Sequence, residues 1–131
     1  MRVLVTGASG FVGGRLCQAL IERGHQVLAV SRSFPRDLSA EVKWQTLDLS
    51  KGLTQETQAL FGGVEAVFHV AAKVDMWGDY QDFYNTNVLG TERLLNAAQK
   101  AGVKYFIYTS SPSVIASGAD LIAVNESISY P

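Results

Sequence analysis

Gly7, Gly10 and Gly13 stand at three-residue intervals directly behind the apolar run Val3-Leu4-Val5. A G-x-x-G-x-x-G bend lets the backbone turn without Cβ interference and come close to a ligand that side chains would hold away. Behind it Val12, Leu16, Ala19 and Leu20 recur at helical intervals, with Arg15, Glu22 and Arg23 on the opposite face. A helix starting there aims its unbonded N–H groups and its positive dipole end into the bend, and a pyrophosphate satisfies both. Glycines also close ordinary turns. Here a strand precedes them, a helix follows and a second apolar run completes a βαβ unit, so the predicted chemistry is dinucleotide binding.

Other residues suit different chemistry. Tyr108-Thr109-Ser110-Ser111 gathers four hydroxyls behind an apolar run, but no G-x-S-x-G occurs, and neither His25 nor His69 has an evident nucleophile partner. A hydrolase triad is therefore excluded. His69, at the end of another apolar run, reads as a hydrogen-bonded core histidine rather than an acid–base group. The single cysteine, Cys17, falls on the apolar side of the first helix pattern and reads as a small buried hydrophobe.

These residues need a frame. Apolar runs at 2–6, 26–31, 42–47, 66–70 and 105–109 predict five strands, with helices over 12–23, 53–61 and 80–100 between them. Gly24, Gly62-Gly63 and Gly102 close the helices. Strands apolar on both faces and separated by helices call for a parallel sheet covered on both sides. Right-handed crossovers then give an α/β doubly wound fold with strand order 3-2-1-4-5. Residues 110–131, rich in Ser and Ala, are expected to be loop.

With 131 residues, the chain has room for one domain with a real core. Eleven basic against twelve acidic residues, without a run of either sign, argue against a nucleic-acid or membrane surface. The apolar start is too soon broken by glycine for a signal or membrane span, and a lone cysteine fits a reducing compartment. A cytoplasmic protein acting on a small molecule is expected.

The segment Thr6-Gly7-Ala8-Ser9-Gly10-Phe11-Val12-Gly13 resembles the glycine bend of the extended short-chain dehydrogenases/reductases, the NAD-dependent epimerase/dehydratase superfamily. The resemblance runs through the whole chain and implies one NAD(P)-binding Rossmann domain over residues 1–131. It places Gly7, Ser9, Gly10, Phe11, Val12 and Gly13 at the cofactor's diphosphate. Ser31 stands where NAD-preferring members carry an acidic residue, and Arg32 follows. A guanidinium there can chelate a 2′-phosphate, so NADP is expected over NAD, with Arg15 or Arg36 able to share that task. Asp48-Leu49 matches the pair at the adenine ring; alone, Asp48 would more often cap the next helix, and its place in the motif series favours the adenine contact. Val70, Ala71, Ala72 and Lys73 match the segment running under the cofactor's ribose and phosphates. Asn87 matches the asparagine on the nicotinamide side, and can bridge helix to strand as well. Thr109 and Ser110 fall at the cofactor, and Ser111 falls on the catalytic serine.

In that family a tyrosine, with a lysine four residues on, relays the proton. No tyrosine of this chain has such a lysine. The resemblance thus implies the N-terminal part of a longer family member, inactive alone, with the edge of its fifth strand open to self-association. The stretch Ala71-Ala72-Lys73-Val74-Asp75-Met76-Trp77-Gly78-Asp79-Tyr80 is more similar to the 3β-hydroxysteroid dehydrogenase branch, including 2-alkyl-3-oxoalkanoate reductases, than to nucleotide-sugar epimerases. Met76, Trp77 and Tyr80 could line an apolar substrate mouth, or Trp77 could pack its loop onto the following helix. A nucleotide-sugar epimerase or dehydratase, and a non-catalytic NADP-binding sensor or scaffold, are the alternatives.

Overall fold

The computed structural model describes residues 1–131. Five strands form one wholly parallel sheet in the order β3-β2-β1-β4-β5, the order expected from the sequence. They are β1 (Arg2–Thr6), β2 (Gln26–Ser31), β3 (Lys43–Thr46), β4 (Ala66–His69) and β5 (Tyr105–Tyr108). β1 lies at the centre, with Val5 opposite Ala29 on one side and Phe68 on the other. Its Val3, Leu4 and Val5 are wholly buried, as an apolar strand covered on both faces requires.

Alternation along the strands divides the core in two. Leu4, Leu28, Val30 and Val67 meet Phe61 and helix α4 (Gly90–Lys100) through Leu94, Ala97 and Ala98. Val3, Val5, Val27 and Ala29 face the other way onto helix α1 (Phe11–Glu22) through Cys17 and Leu20. On the α4 face sits the short helix α2 (Gln55–Ala59), N-capped by the Thr54 hydroxyl. Its Gln58 side chain donates to the Ala97 carbonyl of α4 at 3.0 Å.

Two segments depart from expectation. The predicted single helix over 80–100 is α3 (Tyr80–Phe83), a π-helical segment (Tyr84–Leu89) and α4 in sequence. A Cβ on Gly90 would come within 2.9 Å of the Leu49 carbonyl oxygen, so the helix packs hard against the loop after β3 at that point. Just before it, Asn87 is tied to the loop after β4. The extra residue in the π turn shifts the helix phase between these two anchors. The expected loop 110–131 contains a 3₁₀ turn, Pro112–Ile115, capped by Ser111.

Candidate functional site

All five strands run parallel, so their C-terminal ends share one edge of the sheet, where ligands of open α/β folds bind. β1 delivers the glycine bend there. Gly7 has φ +71°, and a Cβ on it would fall 2.8 Å from the Ala71 nitrogen. A Cβ on Gly13 would lie 2.1 Å from the Gly7 carbonyl oxygen. Glycine is therefore required at both positions: the bend and the first turn of α1 are stacked backbone to backbone. Gly10 is the N-cap of α1 and supplies no side-chain cap; the amide of Gly14 is bonded to the Gly10 carbonyl at 3.0 Å. The amides of the first turn thus remain available to an anion.

A groove of about 350 Å³ runs past this turn. Gly7, Ser9, Gly10, Phe11, Val12, Gly13, Arg32, Leu49, Val70, Ala71, Ala72, Lys73 and Thr86 line it. Most of the sequence-predicted cofactor residues are therefore brought together on one surface. A second cavity, of about 670 Å³, shares Ser9, Gly10 and Phe11 and continues to Arg15, Ser33, Phe34 and Arg36. Three arginines, Arg15, Arg32 and Arg36, hence surround the bend's outer side.

The loop carrying Arg32 is anchored from beneath. Trp44 of β3 donates its indole N–H to the Ser31 hydroxyl at 2.8 Å, and that hydroxyl donates to the Ser33 carbonyl at 2.7 Å. Phe34 meets the Trp44 ring edge-on, with centroids 5.3 Å apart. Ser31 is buried and committed to this bracing, so Arg32 is the side chain presented to the groove.

Asp48 does not cap α2. Its Oδ1 accepts from the Ser50 amide at 3.0 Å and the Ser50 hydroxyl at 2.6 Å, closing a local turn. The Ser50 hydroxyl bond, foremost among its surroundings, holds the Asp48 carboxyl below the usual carboxylate range. The neighbouring Leu49 reaches the groove, while Asp48 is not among its lining residues.

The floor of the groove is held by a buried hydrogen-bonded chain. The Thr6 hydroxyl accepts from the amides of Val70 and Ala71, each at 3.0 Å, and lies 2.8 Å from His69 Nδ1. His69 Nε2 lies 2.8 Å from Thr91 Oγ1, which donates to the Asn87 carbonyl at 2.7 Å. The Asn87 side chain accepts from the Lys73 amide at 2.8 Å and donates to the Lys73 carbonyl at 3.1 Å. Asn87 thus bridges the helix to the loop after β4 rather than to a strand. Nothing local in the sequence marks Thr6 and Thr91 as partners of one histidine. Burial pulls the His69 pKa down to about 4 and keeps the imidazole neutral. Burial likewise pushes the Cys17 thiol up to about 11, an inert state for that residue.

At the far end of the sheet edge, the Thr109 amide donates to the His69 carbonyl at 3.1 Å. Thr109, Ser110 and Ser111 follow β5 and are exposed. Ser111 Oγ accepts from the Ser113 amide at 3.2 Å and lies 2.8 Å from the Ser113 hydroxyl. Trp77 does not pack its loop onto the helix: it is 88% exposed, and the Phe83 ring instead covers Gly78.

These features fit a dinucleotide: uncapped helix amides beside glycines that admit no Cβ, and a groove continuing along the strand ends. Residues 3–131 match the model of the NAD dependent epimerase/dehydratase family. Among curated proteins, the chain is 42% identical over 117 residues to a 2-alkyl-3-oxoalkanoate reductase from Stenotrophomonas maltophilia, covering 87% of this chain and 34% of that protein. It is 40% identical to a 3-beta-hydroxysteroid dehydrogenase from Mycolicibacterium neoaurum, covering 98% of this chain and 37% of that protein. The chain thus spans about a third of the length of these relatives. Among solved structures it resembles a UDP-glucuronic acid 4-epimerase from Bacillus cereus in complex with NAD. There the TM-score is 0.83 and the identity 27%, over 100% of this chain and 46% of that one. A short-chain dehydrogenase/reductase superfamily protein from Agrobacterium tumefaciens with bound NAD gives a TM-score of 0.76 at 30% identity, over 88% of this chain and 34% of that one. No helix is long and apolar enough to cross a membrane. The glycine bend, the parallel sheet and these likenesses agree that the chain belongs to the NAD dependent epimerase/dehydratase family.

Proposed function

We propose that this chain is the cofactor-holding part of an NADP(H)-dependent oxidoreductase that interconverts a hydroxyl and an oxo group on an apolar, sterol-like or 3-oxoacyl substrate. The observation that carries the cofactor choice is Arg32 in the groove beside two further arginines, with no carboxylate at position 31 to repel a 2′-phosphate. The amides of the first turn of α1 hold the diphosphate, Leu49 packs on the adenine, and Ala71 and Ala72 leave room for the ribose and phosphates. When bound, the nicotinamide supplies or accepts the hydride. Ser111, once its hydroxyl turns from Ser113, donates a hydrogen bond to the substrate oxygen. Val74, Met76 and Trp77, each more than 85% exposed, form the apolar approach. The proton relay belongs to a tyrosine–lysine pair that this chain does not contain, so the chain alone is expected to give no turnover. A cytoplasmic setting accords with the unpaired, inert Cys17.

The sequence relatives named for oxoalkanoate and hydroxysteroid chemistry support the apolar substrate. The structural likeness to a UDP-glucuronic acid 4-epimerase keeps a nucleotide sugar as the second reading, since the two classes share this fold. Titration of NADPH and NADH into the wild type and Arg32→Ala tests the cofactor assignment. Loss of the guanidinium is expected to cut the NADPH-to-NADH affinity ratio about tenfold. An unchanged ratio overturns the NADP preference. Alcohol oxidation by the chain alone at enzymatic rates overturns its assignment as a binding unit.

A further inference from the structure

We propose that His69 is a positioning residue that locks the groove floor to the Asn87 helix and so sets affinity for the nicotinamide half of the cofactor. This rests on the reading of the groove as a dinucleotide site. Both lone pairs of the Thr6 hydroxyl are taken by the Val70 and Ala71 amides, so its only proton goes to His69 Nδ1. Nδ1 is therefore an acceptor, and the ring proton sits on Nε2, which donates to Thr91 Oγ1. The Thr91 proton is left for the Asn87 carbonyl. Donation thus runs one way: from β1, through the imidazole at the end of β4, to the π-helical segment.

The chain then closes on itself. The Asn87 side chain returns to both main-chain groups of Lys73, two residues beyond the Ala71 amide that Thr6 holds. Groove-lining residues 70–73 are thus clamped at one end by Thr6 and at the other by Asn87, with His69 fixing the distance between the clamps. The imidazole is also stacked on Tyr108, at 5.2 Å and 13°, which ties the end of β5 to the same assembly. No buried side-chain polar atom is left unpaired, so the arrangement has one satisfied proton order and no slack. The family resemblance puts Asn87 on the nicotinamide side and the glycine bend on the diphosphate side. Loss of the lock at Thr91 is therefore felt at the nicotinamide end, while the bend, stacked on α1 and on the Ala71 amide that Thr6 still holds, keeps the diphosphate.

The test uses the chain as it stands. Calorimetric titration with NADPH and with ADP compares the wild type with Thr91→Val, which breaks the lock, and Thr91→Ser, which preserves the hydroxyl. Thr91→Val is expected to lose about tenfold in NADPH affinity with ADP affinity unchanged, and Thr91→Ser to match the wild type. Equal losses for both ligands, or none, overturn the proposal. A second readout needs no variant: nitrogen NMR of His69 in the wild type is expected to show the neutral Nε2–H tautomer, with resonances that move on adding NADPH. An Nδ1–H tautomer, or resonances indifferent to NADPH, overturns the proposal even if Thr91→Val does not fold. A wild type that binds neither NADPH nor NADH overturns the cofactor reading itself, and the proposal falls with it.

Discussion

The glycine bend, at the centre of the strand-terminal edge, and the end of that edge at β5 are built differently. At the glycine bend the parts are backbone, stacked so closely that a Cβ on Gly13 would sit 2.1 Å from the Gly7 carbonyl oxygen. At the end of β5 the parts are hydroxyls on an exposed segment, and Ser111 spends its oxygen capping a four-residue 3₁₀ turn. The first is preorganised because the sheet and α1 leave its backbone no alternative. The second is exposed, and the bonds of Ser111 are local to its turn. On the proposed function, the residues that bind are fixed by packing and those that would react are not.

The contrast breaks most sharply at Gly13. In Gly13→Val the new side chain cannot be placed without pushing α1 off the bend, an overpacking cost of about 3 kcal/mol or more. NADPH binding is expected to fall by more than about a hundredfold, the equivalent of roughly 2.7 kcal/mol. Calorimetry checks the affinity, and a thermal melt reports how much fold survives. Wild-type affinity in this variant would remove the bend from the site.

The buried chain through His69 responds to pH. Unfolded, the imidazole binds a proton from its ordinary value of 6.5 downward, and folded only near 4. Between those values the unfolded state holds more protons, so stability is fully present above about pH 6.5 and is lost as pH falls through 4. The loss amounts to about 3 kcal/mol at its acid limit. Asp48, also held below its ordinary value, adds a loss of the same sign at lower pH. Urea unfolding over this range checks the slope, and His69→Phe is expected to flatten it. A wild type equally stable at either end of the window would mean that the imidazole is not held neutral.

How much of this was legible in the sequence follows from where each feature gets its cause. The five strands and their order were legible because Val3-Leu4-Val5 and its neighbours are apolar on both faces, a local pattern. The bend was legible because glycine spacing is local too. The π segment was not: its cause is the approach of Gly90 to Leu49 and of Asn87 to Lys73, and both are long-range. His69 could be read as a bonded core histidine. Its partners could not, since Thr6 is 63 residues away and Thr91 22. Asp48 shows the limit of a motif. It suggests an adenine contact but not the local turn, in which Ser50 bonds one carboxylate oxygen, Oδ1.

The edges of the sheet give a smaller test. β3 presents Lys43 and Gln45 at its edge, polar residues that discourage pairing, whereas β5 exposes Tyr105, Ile107 and Tyr108. We expect concentration-dependent self-association through β5, weakened by Ile107→Lys and visible by sedimentation. A monomer of high thermal stability would count against it.

The smallest expected effect is at Ser111. Its hydroxyl is exposed, and its bonds are confined to Ser113 two residues away, so Ser111→Ala loses only the cap of a short turn, within about 0.5 kcal/mol. NADPH affinity is expected to stay within about twofold of the wild type, because the diphosphate is held two strands away, at the centre of the sheet edge, by amides that Ser111 does not touch. Titration of this variant beside Gly13→Val measures how separable binding and chemistry are in the fold. A loss at Ser111 approaching that at Gly13 would mean that the β5 end already grips the cofactor, and the division between a rigid binding bend and an exposed reactive end would be wrong.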